Sequence, residues 1–523
     1  MAADSVIGVD LANVYQEVGD QLEYEVTLAW GDPVEPLGDH PRGVRIGFTR
    51  HFRRDDGSVE PVPFIGVIKK PSAGSGLSLD EVVVPKEQAA ILKVEFVDVQ
   101  QGDGTVIETP KGEVVLLDGG ELQLYARYLS TRFPGTSEAT PREIDAIVVS
   151  HGDADHFAGL TEIRESETND LAYKRVFIHP QRVFHNGLVK RPSSRPESQQ
   201  LGPIAPGTDI LNGLVDDLVA VPDTEMNGPF REWKAALVAW QQRGPIAMKR
   251  LALGDDDAFD FLRDESVDVE VLGPVTVPIP GGGEGLEFLG SPKRNTRIAA
   301  DVVTTDASRF TGKSASHTIN GHSVVLRMRY GGFRFLFAGD LNEQAEETLL
   351  QEHRSRHLSL RAEVFKVPHH GSHEYSSEFL QRVSPVVSVI SSGDENERHE
   401  YIHPRANLVA ALGKNSRPGF PEPVLFVTEM VAFFKTRGYL TPEFHKLKDG
   451  SAVVEDGVAT LATDPIPRFF AFERAAFGIV KVRTDGHRLF CWTNSGQQQL
   501  KETYAFESAP GFELTPAVPR VAS

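Results

Sequence analysis

The stretch Ile144-Asp-Ala-Ile-Val-Val-Ser150, followed at once by His151-Gly-Asp-Ala-Asp-His156, decides the fold of this chain. The first part is an apolar, β-branched run of strand length, and the second carries four side chains able to bind a metal: His151, Asp153, Asp155 and His156. Together they read as a buried strand ending in a ligand-rich loop. Imidazoles and carboxylates hold zinc, manganese or iron, and a strand end fixes them tightly enough to leave positions open for water and substrate. The chemistry this implies is metal-dependent hydrolysis. A solvated polar turn would account for the loop taken alone, so the reading depends on what the rest of the chain supplies.

Working outward, Val94-Glu-Phe-Val-Asp-Val99 and Glu113-Val-Val-Leu-Leu-Asp-Gly-Gly120 have strand character upstream. Downstream, Ser323-Val-Val-Leu-Arg-Met-Arg-Tyr330 alternates, Gly331-Gly332 makes a hairpin turn, and Phe333-Arg-Phe-Leu-Phe-Ala338 returns into Gly339-Asp340. Asn342 is the expected N-cap of a helix through Gln351, and the strand Glu363-Val-Phe-Lys-Val-Pro368 opens into His369-His370-Gly-Ser372. The ligand candidates again stand at strand ends. Alternating strands and helices in the centre give an α/β class with helices outside sheets.

The flanks differ in texture. The first ninety residues contain extended segments, Leu22-Glu-Tyr-Glu-Val-Thr-Leu-Ala29 and Val44-Arg-Ile-Gly-Phe48, and no chemical cluster. Gly74-Ser-Gly-Leu-Ser78 reads as a linker, which places an N-terminal β-rich accessory region at 1–90 and a catalytic domain at 91–415. Residues 160–320 are irregular and read as an insertion, with one clear helix at Phe230 to Gln241. Residues 416–523 are β-rich, and Phe477 to Arg483 turning at Thr484-Asp-Gly486 into Arg488 to Trp492 is expected to form a small accessory sheet.

Composition narrows the function classes. The chain has 523 residues, more than a single hydrophobic core usually organises, so a large catalytic domain with additions is expected. Its 54 Lys and Arg against 74 Asp and Glu give a net charge of −20, an average field that repels nucleic acid and anionic lipid. A nucleic-acid substrate would need a local basic groove, for which Lys174, Arg175, Arg182, Lys190, Arg191 and Arg195 are the candidates; a basic run is more often a solvated face. A single cysteine, Cys491, excludes an internal disulfide and fits a reducing compartment. The opening residues lack the features of a signal peptide, and the apolar run Val424 to Phe434 is short and broken by charge. A cytoplasmic protein without membrane association is expected.

Taken in order, Asp118, the His-x-Asp-x-Asp-His core, His322-Ser323, Gly339-Asp340 and His370 resemble the metallo-β-lactamase superfamily, and most of all the hydrolase domain of the competence protein ComEC. The likeness to that domain rests on Asp98-Val-Gln-Gln-Gly-Asp103, Ser150 to His156, Gly339-Asp-Leu341 and His369 to Ser372. It implies a four-layer αβ/βα sandwich with the metal site between the sheet edges, and covers residues 92 to 412 apart from the insertion. The membrane channel of the competence protein is absent, so a role in DNA uptake is not carried over.

The resemblance also implies a division of labour. His151, Asp153 and His322 would hold one divalent ion, Asp155, His156 and His370 a second, and Asp340 would bridge them. Two such ions share a hydroxide as nucleophile and neutralise charge in the transition state. Asp153 stands where the superfamily usually has a histidine, which makes the first site harder and tilts it from zinc toward manganese. Competence-like proteins usually show an amide where His322 is read. His370 is favoured over His369 as ligand because such ligands are commonly followed by Gly, Asp or Glu; His369 would then contact substrate. His403, in a His-Pro element, would give a proton or hydrogen bond to the leaving oxygen, against the alternative of a histidine with no chemistry. Asp118 and Asp103 would orient ligands. His179, His185 and His373 are read as ordinary core or surface histidines. The function implied is a phosphodiesterase or nuclease acting through a metal-bridged hydroxide. The alternatives are a hydrolase of a small lactam, lactone or thioester, and a noncatalytic scaffold that binds a protein partner through the terminal β-rich regions.

Overall fold

The computed structural model of the protein describes residues 4–55, 57–71, 76–292, 310–393, 403–420, 423–428, 444–455, 458–466, 478–493, 502–509 and 513–522. Part of the expected linker at Gly74, the end of the Val424 run, and Tyr401-Ile402 before His403 lie outside them.

Two sheets face each other at the centre. The first runs in the order Ala247–Arg250, Arg182–His185, Ala146–Val148, Val114–Leu117, Thr105–Glu108, Leu92–Phe96, Val480–Thr484, Arg488–Thr493, Thr503–Ala509, Glu513–Ala517. The second runs Val267–Gly273, Val325–Tyr330, Phe333–Phe337, Val364–Lys366, Val387–Ile390, Val424–Val427. The central strands Val114–Leu117 and Ala146–Val148 are apolar on both faces, as a sheet covered on both sides requires. Val115 and Leu117 point into the space between the sheets, where they meet Phe96, Val148, Phe335, Phe337 and Val389. Val114 and Leu116 point the other way, onto the helices Leu124–Arg132, Ala154–Ser166 and Gly228–Gln241. On the far side, Leu336 and Phe365 meet Leu349, Phe379 and Leu408 of the helices Glu343–Arg356, Ser377–Val383 and Ala406–Asn415. Helices, sheet, sheet and helices form the four layers. Asn342 caps the Glu343–Arg356 helix by accepting from Ala345 N, and Asn227 caps Gly228–Gln241 by accepting from Phe230 N.

Two expectations about boundaries are corrected. Residues 160–320 are not a separate insertion throughout: Arg182–His185 and Ala247–Arg250 pair in parallel in the first sheet, and Val267–Gly273 forms an edge of the second. Short strands between irregular loops give too little periodicity to be seen. The C-terminal strands do not make a sheet of their own either. Val480–Thr484 pairs antiparallel with Leu92–Phe96, so the hairpin and the two strands after it widen the catalytic sheet, with Val480, Val482, Leu489 and Cys491 in the core between the sheets.

The N-terminal residues supply seven strands of a further sheet, and Val521–Ala522 is its eighth, pairing in parallel with Leu11 and Ala12. It is bound to the catalytic sheet by an ion pair buried at both ends: Arg488 donates from Nε to Asp10 Oδ1 at 3.0 Å and from Nη2 to Oδ2 at 2.5 Å, and Arg520 N donates to the same carboxylate at 2.7 Å. Among the described residues no helix is long and apolar enough to cross a membrane. Removing one member of such a pair leaves a buried charge uncompensated. Arg488→Met is expected to destabilise the protein by about 3–5 kcal/mol, read as a lower urea midpoint, with the metal content of the folded protein unchanged.

Candidate metal centre

The centre lies where four strands of the two sheets end. Leu117 leads into Asp118, which turns through the left-handed region at φ 57° and sends its carboxylate under the next strand end. There it accepts from Ser150 N at 2.7 Å and from Ser150 Oγ at 2.6 Å, and lies 2.9 Å from His156 Nδ1. With Nδ1 committed to Asp118, the imidazole presents Nε2 to the centre. Asp153 ends the loop, and Asp155 and His156 occupy the first turn of the Ala154–Ser166 helix. This turn packs so closely on the upstream loop that a Cβ on Gly102 would lie 1.7 Å from Asp155 O, at a φ of +100°. The second sheet contributes Asp340, whose amide donates to Ser323 Oγ at 3.0 Å, and His370, in the turn after Val364–Lys366. His370 Nδ1 donates to Ser391 O at 3.1 Å and lies 3.3 Å from Asp103 Oδ1, so its Nε2 also faces inward.

Four side chains meet at one point. His156 Nε2 is 3.1 Å from Asp340 Oδ1 and 3.4 Å from His370 Nε2, while His370 Nε2 is 3.3 Å from Asp340 Oδ2 and 3.5 Å from Asp155 Oδ2. Asp340 Oδ1 is nonetheless buried without accepting a hydrogen bond. Two carboxylates and two imidazole nitrogens aimed at a common centre, with a buried oxygen left without a donor, fit a divalent cation. The electrostatics agree. Burial opposes charge on His156 and His370, but Asp340 and the other carboxylates outweigh it and raise both imidazoles well above their usual range. Burial likewise opposes ionisation of Asp340, yet the two histidines hold its carboxyl well below the ordinary value. The cluster calls for positive charge.

The remaining candidates are placed as follows. His151 is buried beside His156, with its Nδ1 near Ser150 Oγ at 3.1 Å and its Nε2 4.0 Å from Asp340 Oδ2, without a hydrogen-bond partner. Burial and the neighbouring His156 push its pKa well below the usual value. Asp153 faces the cavity, but Lys190 is ion-paired to its Oδ1. His322 does not join the group. It ends the short Ala315–Gly321 helix with its Nε2 2.7 Å from Glu287 O, and burial pushes its pKa down to about 4. The expectation of His322 as a ligand is therefore corrected, and the side chain that reaches Asp153 is the Asn320 carboxamide two residues earlier. In the orientation that satisfies both its ends, its nitrogen donates to Asp153 Oδ2 at 2.9 Å and to Ser316 O at 3.1 Å. The absence of the usual amide at His322 was the available signal for it.

Asp103 is more closely engaged than a remote orienting group. It stands with Asp340, His156 and His370 in one buried set of possible ligands. Its Oδ2 is ion-paired to buried Lys366, and it lies on the Nδ1 side of both imidazoles, which places it behind them. His369 and His403 line the cavity of about 500 Å³ that opens over the centre, their rings 6.1 Å apart. Burial and then the nearby His370 push His403 down to about 3, so it is neutral at pH 7. His317 and Glu374 line the same cavity, and no sequence pattern marked them. His179 approaches Glu143 and His185 approaches Asp216 O, both as structural contacts.

Fold and centre together define a metallohydrolase of the two-sheet sandwich type, and residues 97–393 match the model of the metallo-beta-lactamase superfamily. The chain belongs to that superfamily. Within it, the chain is similar to ComE operon protein 3 of Bacillus subtilis (strain 168), 35% identical over 98 residues, or 18% of this chain and 12% of that protein. It is also similar to competence protein ComA of Neisseria gonorrhoeae, 42% identical over 86 residues, or 16% of this chain and 12% of that protein. The matched stretches thus span 12% of the length of either relative.

Because Asp118 fixes the ring of His156, Asp118→Asn is expected to weaken divalent-metal affinity by about 10- to 100-fold, measured by competition with a chromogenic chelator. The fold, followed by circular dichroism, should persist.

Proposed function

We propose that the protein is a divalent-metal-dependent phosphodiesterase. The observation that carries this is the convergence of Asp155, His156, Asp340 and His370 on one point in the wall of a 500 Å³ cavity. Those four side chains would hold the ion, and when bound it supplies Lewis acidity toward a phosphoryl oxygen. Zinc and manganese both suit a mixed set of imidazoles and carboxylates. The likeness to two competence proteins favours a phosphodiester over a lactam, lactone or thioester. The size of the cavity matches a nucleotide-sized group, and the net charge of −20 argues against a long polyanion lying across the surface.

The chain's own residues do the rest. Asp118 and Asp103 orient the two imidazoles from behind. His369, with a buried Nδ1 that makes no hydrogen bond among the described residues, is the group positioned to give a proton to the departing oxygen. Neutral His403 beside it can orient that oxygen through a hydrogen bond but carries no proton to spare at pH 7.

The test is hydrolysis of bis-p-nitrophenyl phosphate with added Mn or Zn ions. Activity should disappear on chelation and return with metal, and Asp340→Asn should lower it at least about 100-fold. Cleavage of chromogenic lactams, lactones or thioesters with phosphodiesters untouched would replace this reading. A separate outcome is expected for His369→Ala: a loss of about 100-fold on an alkyl ester, whose leaving oxygen needs the proton, and a much smaller loss on a p-nitrophenyl ester, whose leaving group does not.

A further inference from the structure

We propose that the centre holds one divalent ion, and that the ammonium group of Lys190 takes the place of the second cation that a two-metal site would carry beside His151 and Asp153. The inference rests on the metal-dependent reading above and specifies it further. Three observations support it. Asp153, the carboxylate a first metal would need, already has both oxygens engaged, Oδ1 by Lys190 and Oδ2 by the Asn320 amide at 2.9 Å. The third member of the set, His322, is turned to Glu287 O and is held there from its backbone, where Asn186 Nδ2 donates to His322 O at 2.9 Å. His151 remains, with Asp340 Oδ2 4.0 Å away as a carboxylate shared with the other ion, and one imidazole and one shared carboxylate do not make a site. The set formed by Asp155, His156, Asp340 and His370 is by contrast complete in itself.

Lys190 is not a surface lysine that happens to swing inward. It follows buried Leu188 and Val189 in the segment leaving the Arg182–His185 strand, and its carbonyl accepts from Asn227 N at 2.9 Å. Its stem is thereby fixed and its head delivered to Asp153.

The charges favour the same arrangement. The cavity is lined by four carboxylates: Asp153, Asp155 and Asp340 at the centre, and Glu374, which stands 3.5 Å from His317 Nδ1; Asp118 and Asp103 are paired behind the imidazoles with His156 and Lys366. One divalent ion and the Lys190 ammonium balance the three carboxylates at the centre, whereas two divalent ions beside that same ammonium would leave it with an excess of positive charge. With one N–H given to Asp153, the ammonium also keeps up to two N–H donors for a phosphoryl oxygen, a fixed electrostatic contact that needs no second metal.

The experiment is metal stoichiometry on the full chain, loaded with excess Mn ions, desalted, and analysed by elemental mass spectrometry and electron paramagnetic resonance. About one Mn per chain with the six-line spectrum of an isolated ion is expected for the unaltered protein and for Lys190→Arg. Lys190→Met should take up about two, with the broadened spectrum of a coupled pair. Two ions per chain in the unaltered protein would overturn the inference, and this holds even if Lys190→Met does not fold. A folded Lys190→Met that still binds only one would overturn the role of Lys190. No bound Mn at all would remove the metal-dependent reading itself, and this inference with it, a result distinct from either of the others.

Discussion

The hydrogen bonds of Asp118 are the constraint on which the centre depends. This one carboxylate joins the end of the Val114–Leu117 strand to the end of its parallel neighbour through Ser150, and joins both to the first turn of the following helix through His156. The residue adopts a left-handed backbone to do so, while its own amide donates to Val148 O at 2.9 Å. For a residue other than glycine that conformation carries a cost, which the surrounding bonds offset. Because the strands are packed on both faces, the position of Asp118 is not adjustable, and the direction of His156 is inherited from it.

The second ligand histidine is handled in the same way from the other side. His370 comes from the second sheet, yet the carboxylate next to its Nδ1 is Asp103, from the loop before Thr105–Glu108 of the first. Lys366, on the strand leading to His370, is ion-paired to that carboxylate, and both groups are buried. A buried ion pair contributes little net stability, because desolvation offsets its attraction, but it is strict about geometry. Here it fixes how the ends of the two sheets meet, and with that the spacing of Asp155 and His156 from Asp340 and His370.

Much of this was legible in the sequence, and the reasons are local. The strand before His151, the hairpin at Gly331-Gly332, the Asn342 cap and the turn at His369-His370 all announce themselves within ten residues, by alternation, turn chemistry or a cap. The ligands at strand ends came with them. What could not be read were relations between distant segments. Nothing near Val480 says that it pairs with Phe96, and nothing near Arg182 says that its strand enters the same sheet, because pairing is decided by tertiary contact. His322 failed for a related reason: its direction follows from where the Ala315–Gly321 helix ends, and spacing alone cannot tell it from Asn320. Lys190 was visible only as one member of a basic run.

The place of Val480–Thr484 beside Leu92–Phe96 also matters while the chain is being made. About 390 residues separate the two strands, and at about 5–20 residues per second the ribosome needs roughly 20–80 s to supply the partner. During that interval Leu92–Phe96, with Leu92, Val94 and Phe96 destined for the core, is an open sheet edge with unpaired N–H and C=O groups. The nascent protein therefore carries an open edge, of the kind that pairs with other chains, until Val480–Thr484 arrives to cover it.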